Sequence, residues 1–600
     1  MEFDKKTMMA IALIGVVFIF AQTEFYKKRF MPTTYQKERK QSLGVSDSVK
    51  SVKSKEEVET DTPSVPEVKA VVEPREAELV SMSDDSLIVS GSGVDIKVES
   101  DLYIAIFSTR GGALKSFRLK NYPDPNGGLV ELVGAGDKGN LGLKFSTEND
   151  TMDTEQFLFK ANKERIVVSR DDPNQVLQFT LDLGGGAQVV KAFNFQYSKY
   201  DIELTVQLSN MKSTIDGFSY ALSWETGIPS SEIDFKDDML SAKGYFYQGE
   251  VENFDTGAEL SRENFEGITD WVAIRSKYFT AAVMPVGVKG KRVDFRGDAI
   301  DVGLDAPLKV YSYDIHMPFD KKAERIDKFV LFLGPLDYEM ISGFNVKLED
   351  MMDLGYSIFR PIGKLVTWSF RHIHRVVPNY GIVLIIFSIL VKLVLFPLTR
   401  KSYKSMKEMQ LLQPIIQELN DKHKDSPQKK QEETMKLYKE YGINPLGGCI
   451  PLVLQMPLFI ALFSVFRFTI ELRGAYFAGW ITDLSRPDTV FLLPFSLPFY
   501  GNAVNILPLL MGLTTFVQQK ITMKDPKQKA MVYFMPIMLV FLFNNWPSGL
   551  NLYYTLFNLL SIVQEKFIPY KIRTPEEMKK RKTTQVKKQR VKHDYKGRFK

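Results

Sequence analysis

Residues 378–400 read PNYGIVLIIFSILVKLVLFPLTR, apolar for roughly the 20 residues that a bilayer core demands of one helix. Such a run restricts the fold severely, because backbone inside hydrocarbon must satisfy its own hydrogen bonds and so must be helical. It carries one interior cation, Lys392. Further apolar runs follow at 449–470, about 504–519, 531–543 and 550–568, several broken by Pro or polar residues that a buried place in a bundle tolerates. The links differ in charge. Residues 400–441 hold ten Lys and Arg, 520–529 adds Lys520, Lys524, Lys527 and Lys529, and 566–600 is overwhelmingly basic. The links 471–498 and 544–549 are poor in both. Excess Lys and Arg marks cytoplasmic segments, which places the three basic stretches in the cytoplasm and the chain before 378 outside.

Residues 1–30 hold an apolar run from about Thr7 to Thr23. Ala21 suits one small-residue position of a cleavage site, but Ile19 occupies the other, so the spacing predicts an uncleaved signal anchor. Parity then gives six spans, with both termini cytoplasmic. Residues 31–86 are rich in Pro, Ser, Glu and Lys and short of aromatics, the composition of a flexible linker.

From 87 to 343 the period becomes two. Segments such as LYIAIFSTRGGALKSFRLK, QVLQFTLDL and YDIELTVQLS alternate apolar and polar residues between Gly, Asn and Asp turns. This pattern predicts a large antiparallel β-sandwich. His316 is its only histidine, and no metal-binding or Ser-His-Asp spacing is visible. A binding or scaffolding domain is expected; two carboxylates meeting only in space would be the carbohydrate-active alternative. Cys449 is the only cysteine, which excludes an intramolecular disulfide and suits a small packing residue.

Residues 344–377 place Phe344, Leu348, Met351, Met352, Ile358, Ile362, Leu365, Val366 and Ile373 at helical spacing. With Arg360, Lys364, Arg371, His372, Arg375 and the anchor-type Trp368, they predict an amphipathic helix at the outer membrane surface. A soluble helix packed on the sandwich is the alternative. His372 and His374 are too few for a metal site. Within 400–441, KSYKSMKEMQLLQPIIQELNDKHK and SPQKKQEETMKLYKEYG predict a helical hairpin turning at DKHKDSP.

Longer motifs carry a resemblance. FPLT (396–399), LLQP (411–414), YGINPLGGCIPLVLQMPLF (441–459), ELRGAYFAGWITDLS (471–485), FMP (534–536) and WPSGLNLYY (546–554) resemble the YidC family of membrane protein insertases, in its six-span Gram-negative form. STRGGALKSF (108–117) is similar to the signature of that family's periplasmic domain. The resemblance implies a multispanning α-helical membrane bundle in the bacterial inner membrane. Five of its six transmembrane helices (378–570) form the insertase core, and the periplasmic antiparallel β-sandwich precedes them. It further implies a hydrophilic groove open to the cytoplasm and to lipid. The groove's cation, usually arginine in the family, falls on Lys392, which keeps the charge and loses the planar fork. By the same match Ser388, Gln455 and Tyr554 are substrate-groove positions. Gln518, Asn551 and Asn558 join them because they are polar within apolar spans.

The implied partners are nascent integral membrane proteins, the Sec translocon, lipid, and a ribosome held by the hairpin and the basic tail (571–600). No catalytic residue, metal or other cofactor is expected. Two other classes compete. A polar-solute transporter would call for paired repeats with broken helices, and no duplication is visible; a membrane-tethered periplasmic carbohydrate protein would need its activity in 87–343. For Lys392, snorkelling to the cytoplasmic interface is the plain alternative, since Arg400 is only about two turns away.

Overall fold

The computed structural model describes residues 93–578, apart from 126, 135–138, 148–149, 258–259, 353–357, 424–425, 445–449, 499, 524–528 and 571. The expected anchor (1–30), the linker (31–86), Cys449 and the tail beyond Met578 lie outside the described residues.

The alternating stretches become strands whose apolar residues turn inward. Gln188–Gln196 shows the period cleanly, with every second side chain buried. Nine antiparallel strands form the largest sheet, running from Val251–Phe254 through Lys243–Tyr247, Trp271–Arg275, Phe279–Val286, Glu324–Pro335, Asp201–Ser209, Gln188–Gln196 and Asn174–Asp182 to Lys160–Ala161. A six-stranded antiparallel sheet packs across one end: Phe295 of Gly290–Ile300 meets Phe246 of the large sheet at 5.8 Å. A five-stranded sheet packs across the other, where Phe107 of Tyr103–Ser108 meets Phe193 at 4.8 Å. One pair, Asp95–Glu99 with Arg165–Val167, is parallel. A single apolar core joins all three sheets. Lys191 is fully buried in it, its Nζ donating to the carbonyls of Gly111 and Leu141 at 2.7 Å each, and burial pulls its pKa down to about 7.

The strands Trp271–Arg275 and Phe279–Val286 are buried on both faces, because residues 344–352 cover the side away from the six-stranded sheet. Trp271 Nε1 donates to the Val346 carbonyl at 2.9 Å and Arg275 Nη1 to the Met351 carbonyl at 2.6 Å. This corrects the expected amphipathic helix from 344. Phe344, Leu348, Met351 and Met352 belong to the β-domain core, and the helix itself is only Arg360–His374. It buries Val366 and Phe370 against the helical region and leaves Leu365 and Trp368 exposed.

In chain order the helices are α1 (Phe235–Ser241), α2 (Tyr338–Ser342), α3 (Arg360–His374), α4 (Tyr380–Leu411), α5 (Gln413–Lys422), α6 (Pro427–Tyr441), α7 (Ile450–Phe468), α8 (Ile506–Thr522), α9 (Lys529–Phe543) and α10 (Ser548–Phe567). The expected hairpin begins later than the basic composition suggests. Nothing between Arg400 and Met409 breaks a helix, so α4 runs on for 32 residues to Leu411; Pro414, which lacks an amide N–H and crowds the carbonyl four residues earlier, cannot continue it and sits in the first turn of α5. Helices α5 and α6 then close a small core of Leu412, Ile416, Leu437 and Tyr438 with Met578. Helices α4, α7, α8 and α10 share another core, and α9 packs along α8. Gly512 permits that approach, since a Cβ there would stand 2.4 Å from Val540 Cγ2. Among the described residues only α4 is long and apolar enough to cross a membrane by length and composition, whereas 455–468 and 530–543 are apolar but shorter. The link after α7 holds an unexpected β-hairpin, Thr489–Leu497 with Gly501–Asn505.

Arginines of the helical region grip the β domain. Arg473 Nε meets Glu232 Oε1 at 2.6 Å and its Nη2 donates to the Ser231 carbonyl at 2.9 Å. Arg371 bridges Asp337 at 3.0 Å and Glu471 at 2.7 Å, and Arg467 pairs with Asp237. Burial raises the Glu232 carboxyl above its usual range, with Arg473 pulling it back only in part. Burial alone would raise Asp237 as well, but Lys277 and Arg467 hold it below its ordinary value.

Arg473→Ala strands the buried Glu232 and is expected to lower stability by about 3–5 kcal/mol, with Glu232→Gln recovering part of the loss. Denaturant unfolding of the purified chain in detergent measures both. A chain lacking 87–343 exposes Leu348, Met351 and Met352, whereas one lacking 87–352 does not. Limited proteolysis is expected to degrade the first faster.

Candidate functional site

Asn551, Tyr554, Asn558, Ser561 and Glu565 recur in alternating steps of three and four, so they line one face of α10 over about 21 Å. Lys392 meets that stripe from α4. Its Nζ donates to Ser561 Oγ at 2.6 Å and lies 4.6 Å from the Phe557 ring and 5.8 Å from the Tyr403 ring. Only 7% of the residue is exposed. The ammonium is therefore turned onto α10 and not carried along its stem to the helix end, as snorkelling requires. Ser388 lies one turn earlier on α4, fully buried, with its hydroxyl returned to the Leu384 carbonyl at 2.7 Å.

Helix α8 supplies the opposite wall. Asn558 Nδ2 donates to Thr515 Oγ1 at 2.8 Å, and Thr522 Oγ1 donates to Glu565 Oε2 at 2.6 Å. Gln518 and Ser561 both lie beside the Tyr403 hydroxyl. Gln564 Nε2 donates to Thr399 Oγ1 at 3.1 Å, tying α10 back to α4. Four of the seven expected positions (Lys392, Ser388, Gln518 and Asn558) thus belong to one polar half of the site.

Of the other three, Tyr554 and Asn551 belong to an aromatic cluster. Tyr554 packs on Phe459 at 5.5 Å and Phe543 at 6.0 Å, and Trp546 stacks on Phe459 at 5.9 Å. The Tyr554 hydroxyl is buried without a partner among the described residues. Asn551 Nδ2 ties the backbone of the same cluster, donating to the carbonyls of Phe543 at 3.2 Å and Trp546 at 3.4 Å. Gln455 is half-buried on α7, one turn before Phe459. Among the described residues, the hydrogen bonds and ring contacts of Lys392 go to Ser561, Phe557 and Tyr403 and to none of these three.

Ser561, Gln564, Glu565, Thr399, Thr515, Thr522 and Tyr403 escaped the sequence reading. Their signal was periodicity, since 551, 554, 558, 561 and 565 fall on one helical face, as do 515, 518 and 522. In the β domain His316 Nε2 lies 2.8 Å from Asp294, which Arg292 also binds at 2.6 Å; the histidine is a member of a structural ion cluster.

Comparison with known proteins bears on both regions. The model of the 60Kd inner membrane protein family matches residues 372–576, and that of the YidC periplasmic domain matches 95–369. A membrane protein insertase YidC of Pelodictyon phaeoclathratiforme is 38% identical over 483 residues, covering 79% of this chain and 82% of that protein. Another, of Chlorobaculum tepidum, is 34% identical over 584 residues, 94% of each chain. A solved structure of an active YidC insertase with its first transmembrane domain resolved is 19% identical over 80% of this chain and 95% of that one, with a TM-score of 0.35.

Ser561→Ala removes the hydroxyl that accepts from the Lys392 ammonium and is expected to cost about 1–3 kcal/mol, with Ser561→Thr restoring most of it. Unfolding in detergent micelles reads the difference.

Proposed function

This chain belongs to the YidC family of membrane protein insertases, and we propose that it works by a charge-bearing groove built around Lys392. As a member it is an inner-membrane insertase with a periplasmic domain, acts on membrane protein substrates and is not an enzyme. The observation that carries the groove reading is the polar stripe of α10 facing Lys392, because buried polar groups on a membrane helix mark a wet or functional path. A client must move a polar tail across hydrocarbon, where each unsatisfied group costs several kcal/mol. A polar recess reaching partway into the bilayer shortens that dry path. The cation attracts acidic residues of the tail, worth about 1 kcal/mol at 4 Å in water and about 4 kcal/mol where the effective dielectric is near 20. The client's apolar segment then leaves toward lipid by the hydrophobic effect.

Ser388, Gln518 and Asn558 hold polar side chains along this path, and Gln455, Tyr554 and Asn551 form its aromatic end. The topology we assign has six spans, five of them in the core, with both termini cytoplasmic and the β-sandwich outside. The basic links after Arg400 and Thr522 support it, and so do the β-domain contacts at the opposite end of the helices. Lengths of 17, 15 and 20 residues for α8, α9 and α10 suit spans in a locally thin bilayer. The α5–α6 hairpin and the basic tail are the surfaces for a translating ribosome, and the lipid-open side is the place for the Sec translocon.

In cells depleted of the native insertase, Lys392→Ala is expected to reduce insertion of a single-span client with an acidic translocated tail by about tenfold, the weight of 1.4 kcal/mol. A client with a neutral tail should insert normally, and Lys392→Arg should retain activity toward both. Protease protection of the tail measures insertion, and unchanged protection with Lys392→Ala overturns the groove charge.

A further inference from the structure

The hairpin between α7 and α8 is apolar on both faces. No charged residue occurs between Asp488 and Lys520, a stretch that begins with Thr489–Leu497 and Gly501–Asn505 and continues into α8. Adjacent residues of a strand point to opposite faces, yet Phe491 and Leu492 are 58% and 60% exposed. Phe495 is 56% exposed and Val490 46%. A hairpin in water hides one apolar face or makes one polar, and this one does neither.

It is also firmly rooted. Asn544 Nδ2 donates to the carbonyls of Tyr500 at 3.0 Å and Ala503 at 2.7 Å, and the Asn505 side chain donates to the Asn544 carbonyl. Asp488 Oδ2 accepts from Trp480 Nε1 at 2.9 Å and from the first amides of α8, Ile506 at 3.1 Å and Leu507 at 2.8 Å. The Tyr500 ring packs on Phe541 of α9 at 5.3 Å.

Three observations select lipid as the occupant. The apolar surface runs without interruption onto the exposed Leu509, Leu510 and Leu513 of α8 and Phe541 of α9. The hairpin starts three residues after Arg486, which reaches Glu232 of the periplasmic domain at 3.6 Å, so it lies at the periplasmic end of the helices. Finally, a two-stranded ribbon keeps two open edges, whose unpaired amides and carbonyls exclude the dry core but suit the hydrated headgroup level. We propose that the hairpin of Thr489–Leu497 and Gly501–Asn505 forms a membrane anchor inserted at the headgroup–acyl boundary of the outer leaflet.

The test uses the full chain with Cys449→Ser, labelled with the fluorophore NBD at Leu492→Cys, at Phe495→Cys, or at Phe218→Cys on the exposed β-domain surface, where the residue is 71% exposed. The protein is reconstituted into phosphatidylethanolamine–phosphatidylglycerol vesicles carrying spin-labelled lipid. Both hairpin labels are expected to shift to the blue. Quenching by lipid labelled high on the acyl chain should exceed quenching by lipid labelled at the chain end about twofold, and the label at 218 should respond to neither. Water-like spectra at 492 and 495 overturn the proposal. A shift that appears only with a ribosome-bound client overturns it in favour of client docking, and one that follows the protein-to-lipid ratio does so in favour of a second copy.

Discussion

An ammonium held inside a helical bundle needs polar company, and the arrangement of α4, α8 and α10 follows from that need. Lys392 has a hydroxyl, Ser561, as its hydrogen-bond partner and two aromatic rings beside it. That is thin solvation for a charge, and burying a charge without compensation is far costlier than burying an amide. The compensation extends along both neighbouring helices, where Asn558 pairs with Thr515, Gln564 with Thr399 and Glu565 with Thr522. Every one of these is a polar residue on the inner face of an apolar element. The same stripe lowers the hydropathy of α10, so a 20-residue helix does not read as a span while α4 does.

Lys392 and the arginines of the helical region meet charge differently. Toward the periplasmic domain, Arg371, Arg467 and Arg473 each meet a carboxylate, in pairs where the planar fork is matched by oxygen. Behind them lies the aromatic cluster of Phe459, Phe543, Trp546 and Tyr554. The Lys392 ammonium instead meets a hydroxyl and the faces of two rings. In the groove proposed above, a polar end and an aromatic end would admit charge from one side only, which is the asymmetry that directional insertion needs.

Much of the fold was legible because period is a local property. The strands of the β domain follow the alternation of their residues, and α4 follows the apolar run that contains Lys392. Residues 344–352 were misread because Leu348, Met351 and Met352 sit at spacings that suit a helix face as well as a turn pressed on a sheet. Only the neighbouring strand with Trp271 and Arg275 decides between them. The hairpin at 489–505 was hidden for a related reason, since a short apolar run carries no mark of whether it will be helix, strand or loop.

The sequence by itself determined the charge at Lys392, the basic links and the motifs that identify the family, because each is a matter of which residue stands where. It also held the heptad of polar residues on α10, although nothing local says which way such a face will turn. Only the tertiary structure decided that Lys392 is turned onto Ser561 and that Tyr554 sits in an aromatic cluster away from it. Those outcomes depend on how α4, α7, α8 and α10 pack together. Residues as distant in sequence as Lys392 and Ser561 become partners only when packing brings their helices into contact.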